Sequence, residues 1–310
     1  MQKIKIKEKT ITLITNALNE SFDLRIMSSI AQDFFPNYDI NSRMNYPPNI
    51  PVPARDAAYK IASDIKKSDL IPQFVSQLIK IQYHGIMGRT YNVAYLRQII
   101  KDLYDAGLIY DKEHEIFIED SEVQITKNWG VLKNGEEKIF TFIRLDMVSN
   151  TKIVRDNKKE LVEKTYSDIR KIVQTIVEDA NGRIWDWEGD GGLCTFLFGN
   201  KNQAAVSCAL KILHQLFIYN HFRCRLNDFV KIRIAVDTGL CEYSDRGEDI
   251  KKNDTIRKLV EIESKHTKPD SVTISRFIYS DLDQRIAKEF TQIDVNASNK
   301  LYNYRIELEK

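Results

Sequence analysis

Apolar residues recur at helical spacing through most of the first third of the chain. Thr10 to Phe34 carries the pattern of one or two helices, and Ala54 to Lys66 and Ile71 to Gln82 each carry an amphipathic stripe. Between them lies Pro47-Pro48-Asn49-Ile50-Pro51-Val52-Pro53, which cannot continue a helix and reads as an extended connector. Asn92 to Ala106 places Val93, Leu96, Ile99, Ile100 and Leu103 along one side and stops at Gly107, as a helix with a glycine cap does. Leu108-Ile109-Tyr110 and Glu115-Ile116-Phe117-Ile118 then flank a polar turn, which predicts a two-stranded hairpin.

The texture changes after residues 121 to 137, where Trp129-Gly130 and Asn134-Gly135 are turn signals that suit a domain boundary. Lys138 to Val148 alternates, with Ile139, Thr141, Ile143 and Leu145 on one side and Phe140 and Phe142 on the other, and predicts a strand. Lys158 to Ala180 reads as a long helix. Arg183 to Trp187 and Leu193 to Phe198 read as strands about the turn Gly189-Asp190-Gly191-Gly192. Asn202 to Tyr219 is a helix candidate, Phe229 to Val236 a strand, Thr255 to Ser264 a helix, and Ser271 to Ile274 and Leu301 to Ile306 are strands. The order β-α-β-β-α-β describes a ferredoxin-like or palm-like core, so the fold class is α+β. Three regions follow: a helical region over 1–85, a winged-helix-like unit and linker over 86–130, and a third domain over 137–310. The helix of the middle unit carries both signs of charge (Arg97, Lys101, Asp102, Asp105), which favours a sensing or dimerising module over a DNA reader.

Composition narrows the classes. The 310 residues are about twice the usual allowance for one domain. Lys and Arg total 46 against 44 Asp and Glu, so no global basic field points to nucleic acid. No apolar run approaches the ~18 residues of a membrane span. The start, Met1 to Thr10, alternates Lys with Ile and lacks a signal peptide's apolar stretch, so a cytoplasmic location is expected. Cys194, Cys208, Cys224 and Cys241 have no C-x-x-C spacing and read as buried thiols, and the five histidines form no metal-binding pair.

The chemistry is concentrated in two carboxylates. Asp146 ends the first strand of the third domain, and Asp190 sits in the glycine-rich hairpin turn. A β-α-β-β arrangement brings that strand beside that hairpin, and clustered carboxylates repel unless a cation lies between them, which points to Mg²⁺ or Mn²⁺. Two such ions about 4 Å apart can activate an attacking hydroxyl and hold a triphosphate leaving group. Ser149, Asn150 and Thr151 follow at the start of the next helix, where backbone N–H groups and a hydroxyl can meet phosphates.

Five motifs in order resemble the class III nucleotidyl cyclase catalytic domain. They are Leu145-Asp-Met-Val-Ser-Asn-Thr151, Glu188-Gly-Asp-Gly191, Lys231-Ile-Arg-Ile-Ala-Val-Asp-Thr-Gly239, Asn253-Asp-Thr-Ile-Arg-Lys-Leu-Val-Glu261 and Lys268-Pro-Asp-Ser-Val-Thr-Ile-Ser275. The resemblance implies that a ribose 3′-oxygen attacks its own α-phosphorus to give a 3′,5′-cyclic nucleotide and pyrophosphate. It assigns Asp146, Met147 and Asp190 to two metal ions and places Lys300 near the family's late phosphate-binding lysine. It also implies a head-to-tail homodimer, one chain supplying the metal ligands and the other the base, ribose and triphosphate contacts.

The departures from the family pattern are informative. Asp186 stands at the first base-reading position, where an ionised carboxylate only accepts, and the second position falls on Ile250, which offers neither donor nor acceptor. That combination disfavours adenine. The family's ribose-positioning Asn and transition-state Arg are replaced by Arg257 and Glu261, and Arg257, one turn earlier on the same helix face, is placed to supply the missing charge. Divergence of this kind resembles the bacterial pyrimidine cyclases of Pycsar antiphage systems, which implies UTP or CTP as substrate and cyclic UMP or cyclic CMP as a second messenger. A guanylate cyclase, and a catalytically degenerate cyclase-like dimerisation domain on a winged-helix regulator, are the competing readings.

Overall fold

In the computed structural model, residues 6–47, 50–123, 126–296 and 299–306 are described. The chain divides into two compact units between Val123 and Gln124. No helix among the described residues is long and apolar enough to cross a membrane.

The first unit holds helices α1 (Glu8–Ser21), α2 (Leu24–Gln32), α3 (Ile40–Arg43), α4 (Ala54–Lys67), α5 (Ile71–His84) and α6 (Leu96–Tyr104), then strands β1 (Leu108–Asp111) and β2 (Ile116–Glu119). The helices that the spacing predicts bury their apolar stripes, for example Ile11, Ile14 and Leu18 on α1 and Phe74, Val75 and Leu78 on α5, whereas the short α3 has no such pattern. Asp23 caps α2 by accepting from the Ile26 N–H. Gly107 takes φ +85° after α6, a left-handed conformation that glycine adopts without a side-chain clash, and the antiparallel β1–β2 hairpin follows. The helix and the two-stranded hairpin that the spacing predicts are therefore present. They share one continuous core with the upstream helices, Leu103, Leu108 and Phe117 packing in the same cluster as Ile14 and Phe74. Pro48 and Asn49 of the proline connector lie outside the described residues; Pro51 to Pro53 have no regular structure and lead into α4.

The second unit is an α+β layer structure on a seven-stranded mixed sheet. Its elements are β3 (Glu137–Met147), α7 (Asn150–Asp156), α8 (Lys159–Asp179), β4 (Arg183–Glu188), β5 (Gly191–Phe196), α9 (Lys201–Phe222) and β6 (Ile232–Glu242). Then come α10 (Gly247–Lys251), α11 (Asp254–Glu261), a π-helical turn (Ile262–His266), β7 (Ser271–Ser275), α12 (Arg276–Ser280), α13 (Gln284–Ala287), β8 (Thr291–Asn296) and β9 (Asn299–Arg305). The strand order is β4-β5-β3-β6-β7-β9-β8, with β6 and β7 parallel and the remaining pairs antiparallel. The β-α-β-β-α-β order is present from β3 to β6.

Period-two alternation gives the sheet two chemically different faces. Ile143, Leu145, Met147, Ile232, Ile234 and Val236 face α8 and α9 in one core. Phe140, Phe142 and Ala235 lie on the other face, packed with Trp129, Trp185, Leu259 and Ile262. Cys194, Cys208 and Cys241 are buried, and burial pushes the Cys208 thiol up to about 12 and that of Cys241 to about 11, away from reactive thiolate chemistry.

Several boundaries differ from the sequence pattern, three of them beside the sheet's central ladder or the site. The helix expected from Lys158 is preceded by a separate short helix, α7. The helix expected to Ser264 ends at Glu261 and passes into the π-helical turn. Strand β6 starts at Ile232 and extends to Glu242 because β3 offers it an eleven-residue antiparallel ladder, from Glu137 opposite Glu242 to Met147 opposite Ile232.

Candidate active site

Asp146 sits at the C-terminal end of the central strand β3, its Cα opposite Gly191 of β5 on one side and Arg233 of β6 on the other. Asp190 occupies the two-residue turn with Gly189, which takes φ +53°. The Met147 N–H donates to the Asp190 carbonyl at 3.2 Å, which ties the strand end to the turn. Gly191 allows this approach: a Cβ there would lie 2.8 Å from the Leu145 carbonyl oxygen and 3.0 Å from Asp146 Oδ1.

The two carboxylates share one field. Burial raises the pKa of Asp190 above the usual carboxylate range, and the charge of Asp146 raises it further; its own backbone N–H, Asn150 and Arg144 oppose the shift. Asp146 Oδ2 accepts from Arg233 Nη2 at 2.7 Å. Tyr166 donates to Asn150 Oδ1, so Asn150 is turned inward, toward Asp190 and α8.

The donor set fits Mg²⁺ or Mn²⁺ better than a fully protein-ligated metal. Two carboxylates stand together at the strand end, and among the described residues no group of three or more His, Cys, Asp or Glu side chains gathers to hold an ion. Mg²⁺ commonly takes one or two carboxylates and completes its shell with water and substrate phosphates. Asp146 Oδ1, on the Gly191 side, and the Asp190 carboxylate are the oxygens that would hold it, and Met147 adjoins both through its backbone.

The other residues singled out by sequence are distributed as follows. Ser149 takes φ +60° before α7, and both it and Thr151 are exposed; α7 spans seven residues. Arg257 is exposed on α11, where it pairs with Asp254, while Glu261 pairs with Lys265. Among the described residues no hydrogen bond or ion pair joins Arg257 to Asp146 or Asp190. Lys300 is exposed at the β8–β9 hairpin, its Cα opposite Asp294, three strands from β3.

Ile250 and Asp186 differ in exposure. Ile250 is buried in the core that holds Phe140 and Trp185. The next residue, Lys251, is the one that reaches Asp186: its Nζ is 3.3 Å from Asp186 Oδ2 and also pairs with Glu188. A β-bulge between Ile184 and Asp186 interrupts the β4 alternation, and Trp185 is buried there, its indole N–H donating to the Lys127 carbonyl at 2.9 Å. The pair Asp186–Lys251 sets an acceptor and a donor side by side.

No family profile matches the chain. A uridylate cyclase of Burkholderia cepacia is 31% identical over 75 residues, 24% of this chain and 33% of that protein, so the chain spans about a third of the curated relative it matches. Among solved structures, the adenylyl cyclase CyaB from P. aeruginosa aligns with a TM-score of 0.47 at 18% identity, over 57% of this chain and 98% of that one. The adenylate/guanylate cyclase/hydrolase from Silicibacter pomeroyi aligns with a TM-score of 0.46 at 19% identity, over 56% and 99%. The guanylate cyclase domain of RhGC from Catenaria anguillulae, solved with GTP, aligns with a TM-score of 0.44 at 17% identity, over 55% and 96%.

Glu263, Arg144, Tyr166 and Lys251 lie outside the sequence motifs. Arg233 lies within the third motif, which does not reveal its pairing with Asp146. Glu263 had no sequence signal, because its burial depends on the π-helical turn.

Proposed function

We propose that the chain is a divalent-metal-dependent nucleotidyl cyclase that converts a pyrimidine nucleoside triphosphate, UTP or CTP, to its 3′,5′-cyclic monophosphate and pyrophosphate. The observation that carries this reading is the placement of Asp146 and Asp190 side by side where β3 ends beside the β4–β5 turn, with Gly191 held bare so that the two can approach. Divalent ions bound there would lower the pKa of the attacking hydroxyl and neutralise the leaving pyrophosphate. The five ordered motifs support cyclase chemistry, and the uridylate cyclase relative supports the pyrimidine base.

The roles of the chain's own residues follow. Asp146 and Asp190 orient the ions against the triphosphate. Asp186 accepts from uracil N3–H or cytosine N4–H₂, while Lys251 donates to the neighbouring carbonyl oxygen or ring nitrogen. Arg257 and Lys300, both exposed, supply charge to the phosphates of a site on a second copy, which makes the working unit a head-to-tail homodimer. The product would serve as a second messenger in bacterial antiphage defence, with the first unit as the receiving module.

The test is purified protein with each of the four ribonucleoside triphosphates and Mn²⁺ or Mg²⁺, products read by mass spectrometry, with Asp146→Ala and Asp190→Ala alongside. A cyclic pyrimidine monophosphate lost in both variants is expected. A cyclic purine product would overturn the base assignment, and a product that persists in both variants would overturn the site.

A further inference from the structure

The two oxygens of Asp146 are held differently. Oδ2 accepts from Arg233 Nη2 at 2.7 Å, whereas Oδ1 lies on the Gly191 side, next to the turn that carries Asp190. Arg233 is in turn held from behind: its Nε is 2.7 Å from Glu263 Oε1, a close ion pair whose N–H is not aimed as a hydrogen bond. The Glu263 side chain is only 4% exposed. Burial pushes its pKa up and the charge of Asp146 adds to this, while Arg233 and Arg144 oppose the shift.

A buried carboxylate is an expensive way to fasten a turn, since taking an ion out of water costs several kcal/mol and an apolar side chain would pack as well. The turn already buries Ile262, and Leu259 packs beside it, so packing alone does not require a charge at position 263. Single π-helical turns are also rare and cluster at functional sites. A guanidinium beside a cation-binding carboxylate has two opposite effects: it fixes the carboxylate's rotamer, and it repels the cation. Glu263 offsets the second effect while keeping the first.

We propose that Arg233 and Glu263 are positioning residues for the cation site. Arg233 takes Oδ2 and so presents Oδ1 toward Asp190, and Glu263 balances the guanidinium charge so that a divalent ion binds beside it. This inference rests on the reading of Asp146 and Asp190 as metal carboxylates.

Glu263→Gln keeps the shape and removes the charge. Mn²⁺ is titrated into the full-length protein, alone and with 3′-deoxyuridine triphosphate (which cannot cyclise), and free Mn²⁺ is read by electron paramagnetic resonance against a protein-free blank. The Mn²⁺ dissociation constant is expected to rise about 10- to 100-fold, the range typical of losing a partner that orients a metal ligand. Activity should need correspondingly more Mn²⁺ yet reach wild-type kcat at saturation. A merely structural role would instead lower the melting temperature and kcat at every Mn²⁺ concentration. Arg233→Lys, which keeps the charge but not the two-sided fork, should shift Mn²⁺ binding in the same direction and serves if Glu263→Gln does not fold. Asp190→Asn is the reference that loses Mn²⁺ binding. Wild-type Mn²⁺ affinity in Glu263→Gln and Arg233→Lys, with the Asp190→Asn loss intact, would overturn this inference and leave the metal site standing. Absence of any Asp190-dependent Mn²⁺ binding would overturn both.

Discussion

Asp146 and Asp190 lie close enough for each to feel the other's charge, and the backbone between them has been stripped to allow it. Gly191 is the residue that matters most here, because a methyl group would meet the Leu145 carbonyl oxygen at 2.8 Å, Asp146 Oδ1 at 3.0 Å and Arg144 Nη2 at 3.4 Å. The first of these is backbone in a paired strand and cannot rotate away, so β5 must shift outward and take Asp190 with it. Gly191→Ala should therefore lower kcat by about 100-fold, the scale of an ångström-sized displacement of a reacting group. Its melting temperature should fall by the equivalent of about 1–3 kcal/mol, the usual cost of overpacking. Steady-state kinetics beside a thermal melt check both; unchanged kcat in a destabilised protein would show that the spacing is not critical. The two aspartates were legible in sequence because each sits in its own local motif. Arg233 was not, because its meaning comes from a partner 87 positions away along the chain. Lys251 was not legible for a different reason: in the short helix α10 one position separates the buried Ile250 from Lys251, which reaches Asp186.

At the level of elements, β6 and α11 form the wall behind the site, and their contact is closer than ordinary side chains permit. A Cβ on Gly239 would come within 2.5 Å of Thr255 Oγ1, while that hydroxyl donates to the Leu240 carbonyl at 2.9 Å. Gly239→Ala should thus push the first turn of α11 off the strand and cost about 1–3 kcal/mol. The same change made in Thr255→Ala should cost less, since both clashing atoms are gone, and a double-mutant cycle on denaturant midpoints measures that coupling. Additive losses would place the strain elsewhere. This contact also explains what the hydrophobic pattern did not reveal about β6. Alternation stops being apolar after Val236, so the pattern ends the strand there; the ladder with β3 continues it for six more residues to Glu242 through Asp237, Thr238 and Gly239. Strand β8 was unread for a related reason, since Thr291–Asn296 is polar and pairs only with β9 at the sheet edge. The long helices α8 and α9 and the strands β3 to β5 were legible because they bury one face over most of their length, where spacing alone determines the element.

For the whole molecule, the residues assigned to one reaction are not gathered in one chain. Asp146 and Asp190 stand at the β3–β5 end, while Arg257 is exposed on α11 and Lys300 on the β9 hairpin, and no contact among the described residues joins either to the carboxylates. A site completed by a second copy reconciles that separation with the proposed chemistry, because a two-fold axis places the same α11 face opposite both carboxylate pairs. The consequence can be tested without knowing the dimer interface. Chains carrying Asp146→Ala and chains carrying Arg257→Ala should each be inactive alone. Mixed in equal amounts and allowed to exchange, half of the dimers pair one of each, and in those one site receives both defects while the other receives neither. About one quarter of wild-type activity should therefore return, at one intact site in every four. Separately tagged chains and a pull-down confirm that mixed dimers form. Mixed dimers without activity would mean that the Asp146 and Arg257 functions belong to one and the same chain. Full activity of Arg257→Ala alone would remove that arginine from the reaction and leave the missing charge to Lys300.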